Sequence, residues 1–311
     1  MSKFLYCSDL HGKAKNPNSR IDNYTESWLT KIKEIQQLAI DNDCRCIIVN
    51  GDVFDTPYVS NVLLDDFIDI VENQCTDKKV LWRIVVGNHD LVGCNWEASK
   101  VGALAHVFRR CKLIDRLTTI ETDDYYIEGM DYFFGIEDSI KEKGLKHDKK
   151  TFSVCIPHAL IIEKPFFQNA AQVLMKEIDS DFDLVLCGHL HQSFDKTING
   201  TRYLNLNSIG RKSINEQHMP QVAIIDTIKQ SVEIIKLKTA KQPEECFDLS
   251  HYEEKKANEK GIEEFLASLQ GTEWITLDLV GQVEKLHNTG KISLPVKNYL
   301  VNKIGEINVD K

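Results

Sequence analysis

No Cys-x-x-Cys pair occurs in the 311 residues, although nine cysteines are scattered along the chain. That spacing excludes a zinc knuckle and a dithiol redox centre, and an odd count excludes a fully paired disulfide framework. Proline is scarce at 7 residues, and neither a low-complexity tract nor an internal repeat is present, which sets aside fibrous, solenoid and disordered architectures. No apolar run approaches the length of about 20 residues that spans a bilayer, so no membrane association is expected. A Walker-type phosphate loop is also missing, which argues against nucleotide-driven chemistry of that kind. The formal charge of −9 argues against broad wrapping in nucleic acid, but says nothing of a local groove.

What is there reads as an ordinary globular protein, 42% hydrophobic and 27% charged, with 13 phenylalanines. Cys7, Cys46, Cys155 and Cys187 sit inside apolar runs, where a free thiol behaves as a small hydrophobe. The opening residues turn polar too soon for a signal peptide, and a reduced, cytoplasmic location is expected. Residues 1–240 are expected to form one large domain and residues 241–311 a small capping or accessory region, with Gln242-Pro243 marking the linker.

Apolar runs at Phe4–Ser8, Cys46–Asn50 and Val80–Val86 predict strands, with helical spacing around Ile32–Ala39 and Val62–Val71 between them. Strands alternating with helices imply crossovers and a mainly parallel sheet. Beyond residue 110 come shorter strands at Leu117–Ile120, Tyr125–Ile127, Asp131–Gly135, Phe152–Ile156 and Leu184–Cys187, with a surface helix in Glu137–Lys150 and another helix around Ala170–Ile178. Ile198-Asn-Gly-Thr201 signals a hairpin, and Val222–Asp226 with Val232–Leu237 reads as a second antiparallel pair. Two sheets packed face to face with helices outside accommodate this order. Glu253–Leu269 has a helical pattern, and Trp274–Leu279 and Lys291–Leu294 read as short β-like runs.

The chemistry lies in the residues just past the strands. Asp9, His11, Asp52, Asn88, His89, His158, His189 and His191 all stand directly after strand-like runs, and these positions hold five of the ten histidines. Parallel sheets present their carboxyl ends as a common crevice, so residues spread from 9 to 191 can converge. Carboxylate, imidazole and amide oxygen together suit Mn, Fe or Zn. With His89 set apart, seven candidate ligands exceed what one ion takes from protein. They divide into two sites if one carboxylate is shared, and two ions about 3.5–4 Å apart can clamp the attacking and leaving oxygens of a phosphoryl transfer.

Asp9-x-His11, Gly51-Asp52, Gly87-Asn-His-Asp90, the lone His158 and Gly188-His-x-His191, in that order, resemble the calcineurin-like metallophosphoesterase superfamily over roughly residues 3–226. The resemblance implies an α/β fold, a four-layer αββα sandwich of two mixed β-sheets, here with a small C-terminal α+β appendage. It also implies two divalent metal ions, with manganese foremost and iron or zinc as alternatives. Asp9, His11 and His191 are similar to the ligands of one ion and Asn88, His158 and His189 to those of the other, with Asp52 as the shared carboxylate. His89 resembles the histidine that meets the substrate phosphate, and Asp90 the residue that orients it.

Gly51-Asp-Val-Phe-Asp55 further resembles the SbcD and Mre11 DNA repair exonucleases, and residues 253–311 occupy the place of their capping domain. This implies phosphodiester hydrolysis in DNA, a homodimer and an SMC-like ATPase subunit as partner. A small-substrate phosphodiesterase or phosphomonoesterase is the alternative. A protein phosphatase fits less well because its third motif ends in Glu where Asp90 stands here, and a non-catalytic scaffold would be expected to have lost ligands. Arg211 is a candidate substrate contact, or else a residue that closes a turn. Lys141–Lys150 reads as a solvated face or a backbone contact for nucleic acid. His106, His147, His218, His251 and His287 read as surface or helix residues, and Trp28 and Trp82 as packing groups.

Overall fold

A computed structural model of the chain describes residues 3–74, 79–165, 171–249, 279–290, 292–298 and 300–301. In chain order its elements are β1 (Lys3–Ser8), α1 (Tyr24–Asp41), β2 (Cys46–Asn50), α2 (Asn61–Glu72), β3 (Leu81–Val85), α3 (Trp96–Ser99), α4 (Ala103–Arg110) and β4 (Ile114–Arg116). Next come β5 (Thr119–Glu121), β6 (Tyr125–Met130), α5 (Ile136–Lys143), β7 (Phe152–Pro157), β8 (Ile161–Ile162), β9 (Val173–Leu174) and β10 (Leu184–Leu186). Hairpins β11 (Phe194–Ile198) with β12 (Thr201–Asn205) and β13 (Gln221–Asp226) with β14 (Ser231–Lys236) precede a helical turn α6 (Pro243–Cys246).

Two six-stranded sheets form the body, ordered β14-β13-β1-β2-β3-β4 and β11-β12-β10-β7-β6-β5. The first is parallel from β1 to β4, with antiparallel β13 and β14 at its other edge, and the second is parallel through β6, β7, β10 and β12, with antiparallel β5 and β11 at its two edges. Successive side chains on a strand point to opposite faces, and this alternation builds the layers. Phe4, Tyr6, Cys46 and Ile48 meet Val154, Ile156, Leu184 and Leu186 between the sheets. Leu5, Cys7, Ile47 and Val49 point the other way, onto Trp28, Ile32, Phe67 and Val107 of α1, α2 and α4. Cys155, Val185 and Cys187 cover the far side with Ile136 and Ile140 of α5. The mixed two-sheet sandwich expected from sequence is therefore present, and its second outer layer is the thinner one.

Helix α1 begins where the Asn23 side chain accepts from the Glu26 N–H, and it buries Tyr24, Trp28, Ile32, Ile35 and Ala39, one stripe of a 3.6-residue period. The Asn199-Gly200 hairpin turn has φ of 53° and 91°, the left-handed pair that matches strand twist.

Three local expectations are corrected. The segment around 170–178 is no α-helix where described: Val173–Leu174 pairs in parallel with Ile161–Ile162, and a single 3₁₀ turn at Met175–Glu177 comes next. Residues 131–135 leave the sheet because the Asp131 carboxylate turns back to accept from the Val86 N–H. Residues 294–298 are helical, so no strand runs through Leu294.

The chain divides into two compact units, Met1–Asp248 and Leu249–Lys311. Residues 241–248 thus belong with the sandwich: Cys246 and Phe247 are buried, and the Arg20 guanidinium lies 5.3 Å over the Phe247 ring. In the second unit Leu279–Asn288 is an α-helix, so Leu279 begins a helix rather than ending a strand. The expected helix at Glu253–Leu269 and residues 274–278 of the expected β-like run lie outside the described residues. Among the described residues no helix is long and apolar enough to cross a membrane.

Candidate metal centre

The carboxyl ends of β1, β2 and β3 deliver Asp9, His11, Asp52, Asn88 and His89, and those of β7 and β10 deliver His158, His189 and His191. The two groups come from different sheets, and Asn50 fastens the sheets directly behind them. Its side-chain amide donates to the carbonyls of Pro157 and Leu186 at 3.0 and 2.9 Å, while its own carbonyl lies 3.0 Å from His158 Nδ1. Tyr6 adds a bond from its hydroxyl to the Cys187 carbonyl at 2.7 Å.

Four of these side chains sit on left-handed backbone, Asp9, His11, Asp52 and His189, with φ between 49° and 70°. Non-glycine residues rarely adopt it, and such strain gathers at functional sites. Crowding accompanies it: a Cβ on Gly51 would stand 2.0 Å from His158 Nδ1, and one on Gly87 would stand 2.2 Å from Asp52 Oδ1. Contact therefore requires glycine at both motif positions, and at Gly51 a φ of 73° adds a backbone requirement.

Three overlapping triads result, Asp9–His11–His191, His11–Asp52–His89 and Asp52–His158–His189, each with its ligand atoms within 4.8 Å of one another. Asp52 Oδ2 is 3.7 Å from His11 Nε2 and its Oδ1 is 3.5 Å from His158 Nε2, so one carboxylate looks both ways. His11 Nε2 faces His191 Nε2 at 3.0 Å, and His158 Nε2 faces Asn88 Oδ1 at 3.1 Å. Burial pulls His11 far below the usual imidazole range, and with the neighbouring His158 it brings His189 down to about 4. Burial opposes a proton on His158 and His191 too, but Asp52 lifts the first to about 9, and Asp9 with Glu216 lifts the second to about 10. Burial raises Asp52, yet the surrounding histidines outweigh it and hold the carboxylate far below its ordinary range. Clustered lone-pair donors around a buried carboxylate fit a pair of divalent cations: mutually facing ring nitrogens repel unless a proton or a metal ion lies between them.

Residues 2–193 match the calcineurin-like phosphoesterase family. The chain belongs to that family. Its members are metal-dependent hydrolases of phosphoesters, and the Asp and His clusters at the strand ends are the candidate metal sites of this one. No curated protein matches the chain significantly. Among solved structures, TT1561 of Thermus thermophilus aligns over 76% of this chain and 98% of its own, at 12% identity and a TM-score of 0.44. An archaeal phosphodiesterase aligns over 76% and 99%, at 17% identity and 0.38. A 5′-nucleotidase of Staphylococcus aureus, described as putative in its own name, aligns over 75% of this chain and 52% of its own, at 14% identity and 0.44.

Two candidate residues of this phosphoesterase bond to backbone groups. The Asp90 carboxylate accepts from the N–H groups of Gly87 and Phe54, while His89 Nδ1 bonds the Asp55 carbonyl at 2.7 Å. Burial and the adjoining Asp52 push the Asp90 carboxyl up to about 7. Arg211 is fully buried and its guanidinium donates inward, to the carbonyls of His218 and Lys241 at 3.2 and 2.6 Å.

Other residues enter the site without a sequence signal. Glu216 is buried and accepts from His191 Nδ1 at 3.0 Å, from the Ser208 hydroxyl at 2.7 Å and from the Lys212 N–H at 3.1 Å. It fixes the ring so that Nε2 points to Asp9 and His11. Tyr132 packs its ring 6.0 Å from His189 and 6.4 Å from His158.

Proposed function

We propose that this phosphoesterase hydrolyses phosphodiester bonds with two divalent cations, and that its substrate is DNA. The observation that carries the reading is the shared carboxylate. Asp52 stands between Asp9, His11 and His191 on one side and Asn88, His158 and His189 on the other, and sites holding those ligands would have it in common. Manganese is the cation proposed, with iron and zinc suited to the same donors. When bound, the pair supplies Lewis acidity that acidifies a water and neutralises charge on the phosphate. His89 donates its Nδ1–H to the Asp55 carbonyl, so its imidazolium form, with a second proton on Nε2, is the one that can donate to a phosphate oxygen and give that proton to the departing one.

Support for DNA comes from the likeness of Gly51–Asp55 to the SbcD and Mre11 motif and from the cleft beside Asn88 and His89. That cleft is open and lined mostly by polar residues, and at about 950 Å³ it takes more than an isolated phosphate ester. The same likeness brings a repair exonuclease role, a homodimer and an SMC-like ATPase partner into the proposal. Turnover of bis(p-nitrophenyl) phosphate against p-nitrophenyl phosphate with added manganese tests the reaction class. A preference for the diester, with loss of turnover but retained metal in His89→Ala, is expected. Preference for the monoester would replace the reading with a phosphatase. Digestion of end-labelled DNA then tests the substrate.

A further inference from the structure

Asp55 is an acidic residue at the mouth of a centre that must attract anions. Its side chain is 9% exposed, and its two oxygens hold two ammonium groups, Lys13 Nζ at 2.6 Å and Lys212 Nζ at 2.8 Å. One lysine would neutralise it. The second leaves a surplus positive charge, and the lysine side chains are 35% and 24% exposed, open to the cleft that also contains Asn88 and His89. Lys212 Nζ is also 3.4 Å from His11 Nδ1, and the Asp55 carbonyl is the anchor of His89, so this cationic pair adjoins the place of the scissile phosphate.

Resting on the diester reading above, we infer that Lys13 and Lys212, gathered by Asp55, form a subsite for a second, uncleaved phosphate of a phosphodiester chain. Each ammonium has three donors, and the bond to Asp55 uses one. A carboxylate that sets both lysines in place beforehand also removes the side-chain ordering that an incoming phosphate would otherwise impose. A substrate with a single phosphate gains little from such a site, and a strand with neighbouring phosphates gains most.

The test compares oligothymidylate with bis(p-nitrophenyl) phosphate for the wild type, Lys13→Ala/Lys212→Ala and Lys13→Arg/Lys212→Arg, with bound manganese measured in each. The alanine pair is expected to lose at least about tenfold more kcat/KM on the oligonucleotide than on the small diester, chiefly through KM. The arginine pair recovers most of that loss. The salt dependence of KM for the oligonucleotide becomes shallower by about 0.7 per phosphate contact removed. Equal losses on both substrates, no loss on either, or emptied metal sites would overturn the subsite. Wild-type protein that cleaves the small diester but no oligonucleotide would overturn the subsite alone, whereas cleavage of monoesters only would overturn the diester reading beneath it.

Discussion

At the residue scale, a metal-ligating imidazole is only as well placed as the group that holds its other nitrogen. Glu216 holds His191 in this way, so Glu216→Ala should weaken cation binding at the Asp9–His11–His191 site by about 10–100-fold, read by calorimetric titration of manganese into chelated protein. Asp52→Ala in the same titration should remove both binding events. Asp90 gives a pH dependence whose sign follows from its partners. In chelated protein its carboxyl stands at about 7, whereas an unfolded chain releases that proton near about 4. The folded state therefore holds more protons between those values, and this contribution to stability is lost as pH rises through about 7. Asp90→Asn cannot ionise and should flatten that part of the slope, measured by urea unfolding with chelator at several pH values. An unchanged slope would mean that Asp90 is ionised throughout. The sequence made Asp9, Asp52 and His158 conspicuous because each directly follows an apolar strand. Glu216, Asn50, Lys13 and Lys212 carried no such mark, since tertiary approach alone creates their roles: Glu216 meets His191, and Asn50 meets Pro157 and Leu186, only once both sheets are packed.

Elements were legible where one period ran long enough to decide. Strands β1, β2 and β7 are apolar on both faces because each lies between two covered layers, and such runs are readable without alternation. The segment at 170–178 was misread because Val173, Met175 and Ile178 are too few to separate an extended piece from a helical one. The turns that end the strands carry the tightest steric demand in the fold. Gly51 combines φ of 73° with a neighbouring ring 2.0 Å from where a methyl would stand. Gly51→Ala should therefore cost about 2 kcal/mol or more in thermal unfolding and displace His158. Gly200→Ala, with φ of 91° and open space around it, meets backbone strain alone and should cost about 1–2 kcal/mol. Equal penalties would deny the contact between the Gly51 turn and His158.

At the scale of the whole molecule, every candidate ligand lies in the unit Met1–Asp248. A chain ending at Asp248 should fold and bind manganese, whereas one ending at residue 240 gives up the buried Phe247, the cover for Arg20, and the Lys241 carbonyl that receives Arg211. The shorter chain should be less stable by about 3–5 kcal/mol, the scale of losing a buried phenylalanine, in paired denaturant titrations. Asp9 and His11 lie 180 positions before their partners His189 and His191 in the chain. A polypeptide whose synthesis halts just before those histidines lacks one ligand of each metal-binding cluster that spans the two sheets. Truncated products of interrupted translation would therefore lack a complete ligand set at either site.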